Sequence, residues 1–157
     1  MSYTVTDAME GVSASRRFFL RHLDNLREDQ WDWKPYPECK SIRETLSHLI
    51  VDDQASLQSM ETGQEPDYES FQVKATDVPD LLSELESGHQ RVLDLVRNRY
   101  ADAPLDTEIC LWGAMMTLGR ALAYLSSEDF YHAGQVAYIR IATDPDWDYY
   151  SGIYGPE

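Results

Sequence analysis

The chain has 157 residues, 43% of them hydrophobic, the size of one domain with enough apolar surface for a core without disulfide or metal staples. Glycine (8) and proline (7) sit near background, which excludes collagen-like and low-complexity classes, and no repeat is present. Thirteen Lys and Arg against 28 Asp and Glu give a formal charge of −15, a field that opposes nucleic acid and anionic membranes as partners.

From Thr4 to about Leu26, the residues Val5, Met9, Val12, Phe19, Leu23 and Leu26 recur at spacings near three and four, which predicts an amphipathic helix. Arg16 interrupts that stripe. It must either extend its guanidinium to water, the first expectation, or face a polar cavity. His22 falls on the flank of this helix, a surface position.

The segment WDWKPYPECK breaks the pattern with Pro35 and Pro37. Ser41 followed by Glu44 is a capping-box signature, opening a second helix that should run to about Met60 with a stripe of Ile42, Leu46, Leu49, Asp53 and Leu57. Residues 62–76 read as a long loop. Asp77 then caps a third helix, with Pro79 in its first turn and Val78, Leu82, Leu85, Val92 and Val96 on one face up to Tyr100. His89 lies on that face and is expected to be a hydrogen-bonded core histidine.

Periodicity lapses from Ala101 to Met116. Thr117 can open a fourth helix whose stripe is Leu118, Leu122, Leu125, Val136 and Ile139. The tail from Asp144 is irregular and aromatic. The aromatic-rich connections, with Trp31, Trp33 and Trp112, are expected to cover the bundle ends.

Cys39 and Cys110 fall in predicted loops without metal or redox spacing, so reduced thiols are expected. The start MSYTVTDAMEG lacks a basic-then-apolar signal, and no apolar run reaches about 18 residues. The expectation is a cytoplasmic protein that neither spans a membrane nor follows the usual secretory route.

Four helices of about twenty residues, each roughly 30 Å long, bury four apolar stripes most simply as an all-α four-helix bundle, a single domain over residues 1–157. A connection of about fifteen residues can extend roughly 50 Å, the length of a helix, so long inter-helix loops permit an up-down-down-up order.

His132 falls within the fourth stripe, and Glu128 lies one turn back on the same side, so both can point at one ion. Asp129, also near the stripe, is an alternative ligand or an orienting group. A metal site and a mutually satisfied polar cluster both explain these residues. His48 is a surface residue by periodicity, about 150° from the centre of its stripe, although it could face a groove with the fourth helix that Asp52, one turn on, would also line.

The stretch from Ser41 through His48 and Leu49, the segment Tyr131-His132-Ala133-Gly134-Gln135, and the closing Trp147 to Gly155 resemble the DinB-like superfamily, the damage-inducible bundle proteins that include bacillithiol and mycothiol S-transferases. The resemblance covers nearly the whole chain. It implies an up-down-down-up bundle, often a homodimer, with a divalent metal held by three histidines. His48 and His132 match two of them, and the third position is Glu128 here. The ligand set implied is therefore His48, Glu128 and His132, holding Zn, Ni, Mn or Fe, with carboxylate favouring harder ions.

On that resemblance, the leading expectation is a metal-dependent thiol S-transferase acting on a small-molecule substrate with a low-molecular-weight thiol. A hydrolase is a variant of the same class. Asp52 or Asp129 would take the thiol proton or orient a ligand. The competing expectation is a non-catalytic dimeric stress-response bundle that binds a protein or small ligand and has lost its metal.

Overall fold

The computed structural model describes residues 3–155. Four long helices, α1 (Val5–Arg21), α2 (Ile42–Thr62), α3 (Val78–Tyr100) and α4 (Leu118–Thr143), carry the architecture, and a short α5 (Tyr149–Tyr154) closes it. Each long helix starts where a side chain can accept the orphan backbone N–H groups of the first turn. Thr4 and Ser41 form capping boxes with Asp7 and Glu44, Asp77 accepts from the Asp80 N–H, and Thr117 from that of Arg120. α2 ends on Gly63 at φ 72°, a left-handed cap that glycine adopts without a Cβ penalty.

The order is up-down-down-up. At one end, Val5, Ala8 and Met9 of early α1 pack with Leu118 and Leu122 of early α4 and with Leu57, Met60 and Val96 of late α2 and α3. At the other end, late α1 and α4 meet early α2 and α3 through Phe19, Val136, Ile139, Ile42, Leu46, Leu81 and Leu85. Thus α1 runs parallel to α4, and α2 parallel to α3. Arg99 near the end of α3 donates to the Met60 carbonyl near the end of α2 at 2.8 Å, which fixes the second pair. At Gly88 α3 comes close to α2, and a Cβ there would meet the Asp53 side chain at 3.3 Å.

The segment from Ala101 to Met116, where periodicity lapses, holds an antiparallel hairpin, β1 (Glu108–Leu111) and β2 (Ala114–Thr117). Its two-residue turn, Trp112-Gly113, has φ of 51° and 85°, the positive values that match the twist of a tight hairpin. Trp112 docks the hairpin on α2, its indole N–H donating to Ser56 Oγ at 2.9 Å and its backbone N–H to Ser59 Oγ at 3.0 Å. Cys110 is therefore a buried strand residue, not a loop residue, and both cysteines are free.

The first helix ends at Arg21, earlier than its apolar spacing predicts. Arg140 of α4 donates to the carbonyls of His22 and Asp24, both at 2.8 Å, satisfying the carbonyls a longer helix would bond internally. His22 is not a surface residue but 1% exposed. Its Nδ1–H donates to the Phe18 carbonyl at 2.8 Å, and Tyr149 of α5 lies against the ring. The aromatic tail, irregular by pattern, supplies this cover. Among the described residues no helix is long and apolar enough to cross a membrane.

Arg16 does not reach water. It is 6% exposed, and its Nε donates to Asp129 at 2.8 Å while Nη1 and Nη2 donate to the two oxygens of Asp53 at 3.2 and 3.4 Å. Burial opposes the guanidinium charge, and the two carboxylates more than offset it, holding the Arg16 pKa above the ordinary arginine value. Burial pushes Asp53 up to about 6, against the pull of Arg16, so it is ionised at neutral pH. Removing one partner of such a group leaves an uncompensated buried charge. We predict that Arg16→Met lowers stability by about 3–5 kcal/mol at pH 7. Adding Asp53→Asn and Asp129→Asn to that variant should recover part of the loss. Chemical denaturation measures both, and an Arg16→Met variant as stable as wild type contradicts the reading.

His89 is buried as expected, but its Nε2 meets no hydrogen-bond partner among the described residues. Burial, with Arg16 and Arg17 nearby, pushes it down to about 3. An unfolded imidazole takes its proton near pH 6.5. The unfolded state therefore binds more protons between about pH 6.5 and 3, and stability falls as pH falls through that window. We predict that His89→Gln gains about 1–2 kcal/mol relative to wild type as the pH drops from 7 to 5. Parallel stability profiles for the two proteins contradict this.

Candidate metal centre

α1 packs mainly on α4, and α2 on α3, leaving a cleft where the middles of α2 and α4 face one another. His48 and Asp52 stand one turn apart on the α2 wall, Glu128 and His132 one turn apart on the α4 wall. Each pair lies on one helix face because side chains four residues apart are neighbours. Ligand atoms of His48, Glu128 and His132 all come within 4.8 Å of one another. The imidazole rings of His48 and His132 meet edge to face with centroids 5.0 Å apart.

His132 is 2% exposed, and its two ring nitrogens have different tasks. Nδ1 lies 2.7 Å from Gln135 Oε1, which can only accept, so Nδ1 carries the proton and Nε2 presents a lone pair. That Nε2 is buried without a hydrogen-bond partner, 3.5 Å from Glu128 Oε2. This separation is too long for a hydrogen bond but close to the roughly 3.4 Å between two donors that each stand about 2.1 Å from a tetrahedral ion. An orphaned buried imidazole nitrogen, aimed at a carboxylate and a second imidazole, fits a divalent metal.

Electrostatics supports ligation. Burial, followed by the neighbouring His132 and Lys40, pushes His48 down to about 4, and burial also lowers His132. Both imidazoles are thus neutral near pH 7, as metal binding requires. Two imidazoles and one carboxylate suit Zn, Ni, Mn or Fe, and three protein ligands leave coordination positions open.

Asp52 stands at the edge of this set, its Oδ2 3.3 Å from His48 Nε2. Burial, then the charges of Glu128 and Asp53, pushes it up to about 7. Asp129 is placed elsewhere. It is 1% exposed and accepts from Arg16 and from Ser15 Oγ, the latter at 3.0 Å, with no hydrogen bond to either histidine. The ion pair with Arg16 holds its carboxylate, so it is neither a third-ligand alternative nor a contact of the ligand histidines. A cavity of about 10 Å³ lies between the ion cluster and the site, lined by Arg16, Asp53 and Asp129 as well as Asp52, Glu128 and Trp112.

Two contributors carry no assigned role in the sequence reading. Gln135 lies three residues beyond His132, and a helical i, i+3 polar partner for a stripe histidine was the available signal. Asp53 sits in an apolar stripe opposite a stripe arginine, and that pairing of misplaced opposite charges was the signal for the Arg16 cluster.

A sequence model of the DinB superfamily matches residues 12–136, a span that includes all three candidate ligands. The chain belongs to the DinB superfamily. Among solved structures, a DinB-like protein from Bacillus subtilis, determined at 2.30 Å, superposes with a TM-score of 0.57 at 17% identity, covering 93% of this chain and 95% of that one. This likeness shows the shared bundle fold. No curated protein matches the chain. As a DinB-superfamily protein it has the bundle into which the His48, Glu128 and His132 cleft is built.

We predict that the purified wild type takes up one equivalent of zinc or nickel, and that His132→Ala and Glu128→Ala each abolish retention through a desalting column. Gln135→Leu, which frees the His132 tautomer, should weaken affinity about 10- to 100-fold without unfolding the chain. Elemental analysis and competition with a chelating dye measure these effects. Equal metal content in all four proteins contradicts the assignment.

Proposed function

We propose that this DinB-superfamily protein is a divalent-metal-dependent enzyme that transfers a low-molecular-weight thiol to an electrophilic small molecule. The observation that carries the reading is the orphaned Nε2 of His132, buried and converging with His48 and Glu128. When bound, the ion would supply Lewis acidity that favours a thiolate at neutral pH.

The chain's own residues account for the rest. His48, Glu128 and His132 would hold the ion, and three protein ligands would leave it open to exogenous molecules. Gln135 fixes the His132 tautomer. Asp52, its Oδ2 3.3 Å from His48 Nε2 at the edge of the ligand set, is placed to accept the thiol proton. The sulfur then forms a bond to the electrophilic carbon as the leaving group departs with its electron pair. The proton remains on Asp52 until it passes to water. Trp112 lines the small cavity next to Asp52 and Glu128.

Conjugation of monochlorobimane tests this, because a carbon–sulfur bond forms, chloride leaves and fluorescence rises. With bacillithiol, mycothiol or glutathione supplied in turn, at least one thiol should be conjugated in a metal-dependent way. His132→Ala should lose the activity, and Asp52→Asn should lower kcat about 10²-fold while retaining metal. A metal-replete protein that accelerates none of these reactions contradicts the thiol-transfer reading.

A further inference from the structure

A second concavity adjoins the metal cleft. It has a volume of about 440 Å³ and lies between the connection preceding α2, which contributes Pro35, Tyr36 and Lys40, and the α4 face of Tyr131, Gly134 and Tyr138. That volume is in the range of small-molecule sites. Gln135 also lines it, and the same side chain bonds His132, so the pocket opens directly beside the candidate metal centre.

Its lining is mostly apolar and aromatic, and among the described residues Lys40 is the only charged one on it. In a chain of net charge −15, a pocket wall without a single carboxylate is a local inversion. Lys40 makes no ion pair among the described residues.

Gly134 adds an independent observation. It sits well inside α4, where glycine weakens a helix relative to alanine. No positive φ requires it, and a Cβ built there would meet nothing within 4 Å. Neither backbone conformation nor close packing explains the glycine. What its missing side chain leaves open is the pocket.

We propose that this pocket binds the electrophilic substrate of the metal centre, a small carboxylate with an aromatic or apolar body. Lys40 pairs with the carboxylate, Tyr36, Tyr131 and Tyr138 cover the body, and Gly134 provides the room. The assignment deepens the proposed function, resting on that reading for the substrate's role, while binding itself rests on the pocket.

The test is an NMR titration of the full-length ¹⁵N-labelled protein, with and without zinc, using phenylacetate, 2-phenylethanol and phenethylamine as probes. Phenylacetate should shift the amides of Lys40, Tyr131, Gly134 and Gln135, and bind at least about fivefold more tightly than the neutral alcohol. Lys40→Gln should remove that preference. Gly134→Phe should weaken phenylacetate more than tenfold with zinc content unchanged. Gly134→Ala should raise Tm by about 2–4 °C, because the glycine is not needed by the fold.

Equal affinity for the three probes overturns the proposal, as does binding that survives Gly134→Phe. A Gly134→Phe variant that changes oligomeric state in a protein blind to phenylacetate also overturns it, making the groove an interface between copies. Phenylacetate binding by a protein that retains no zinc leaves the pocket standing and removes the metal reading. Zinc retention without probe discrimination does the reverse.

Discussion

One guanidinium, buried at mid-height in the bundle, sets the constraint from which the site follows. Arg16 reaches from α1 to Asp53 on α2 and Asp129 on α4, and its Nη1 also lies 3.5 Å from the Leu85 carbonyl of α3. A desolvated charge of this kind tolerates little displacement, because each lost hydrogen bond exposes an unpaired ion to an apolar interior. The three charged residues therefore fix how α2 and α4 are rotated about their own axes. Successive helix residues are about 100° apart. With Asp53 turned to Arg16, its neighbour Asp52 is turned to the cleft, and with Asp129 turned to Arg16, Glu128 is turned there too. His48 lies one turn before Asp52, His132 one turn after Glu128. The ligand set occupies the faces next to those the ion cluster locks.

The same geometry explains how a strongly acidic protein arranges its interior. One cation pairs with both Asp53 and Asp129 deep in the bundle, while Asp52 and Glu128 face the cleft with no arginine or lysine ion pair among the described residues. A carboxylate and two neutral imidazoles with no competing cation favour a divalent ion by ligand type. A few residues away, Lys40 lines a pocket with no carboxylate among its described lining residues. A cation on the cleft floor and an anion in the pocket are complementary occupants, brought together at the Gln135 and His132 hydrogen bond.

What the sequence makes legible is what depends on local spacing. Ser41, Asp77 and Thr117 announce three helix starts, because an N-cap needs only its own first turn. Glu128 and His132 are readable as a pair because one helix carries both. His48 is not readable from its wheel position, since the face it uses is decided by how sparsely α2 touches α4. The family resemblance supplied it instead. The burial of Arg16 is hidden for a related reason: a stripe arginine is unfavourable until its two carboxylates arrive from positions 37 and 113 residues away in sequence. The hairpin of β1 and β2 and the burial of His22 under α5 are likewise products of non-local contact.

The most direct test of the account is an anomalous-difference map from a crystal of this protein grown with zinc. The account predicts a single strong peak in the cleft, about 2.0–2.2 Å from one nitrogen each of His48 and His132 and one oxygen of Glu128. Asp129 should remain on Arg16, and Gln135 on His132 Nδ1. A map with no peak there, or with zinc held only by surface carboxylates while His132 Nε2 stays unligated, would contradict it.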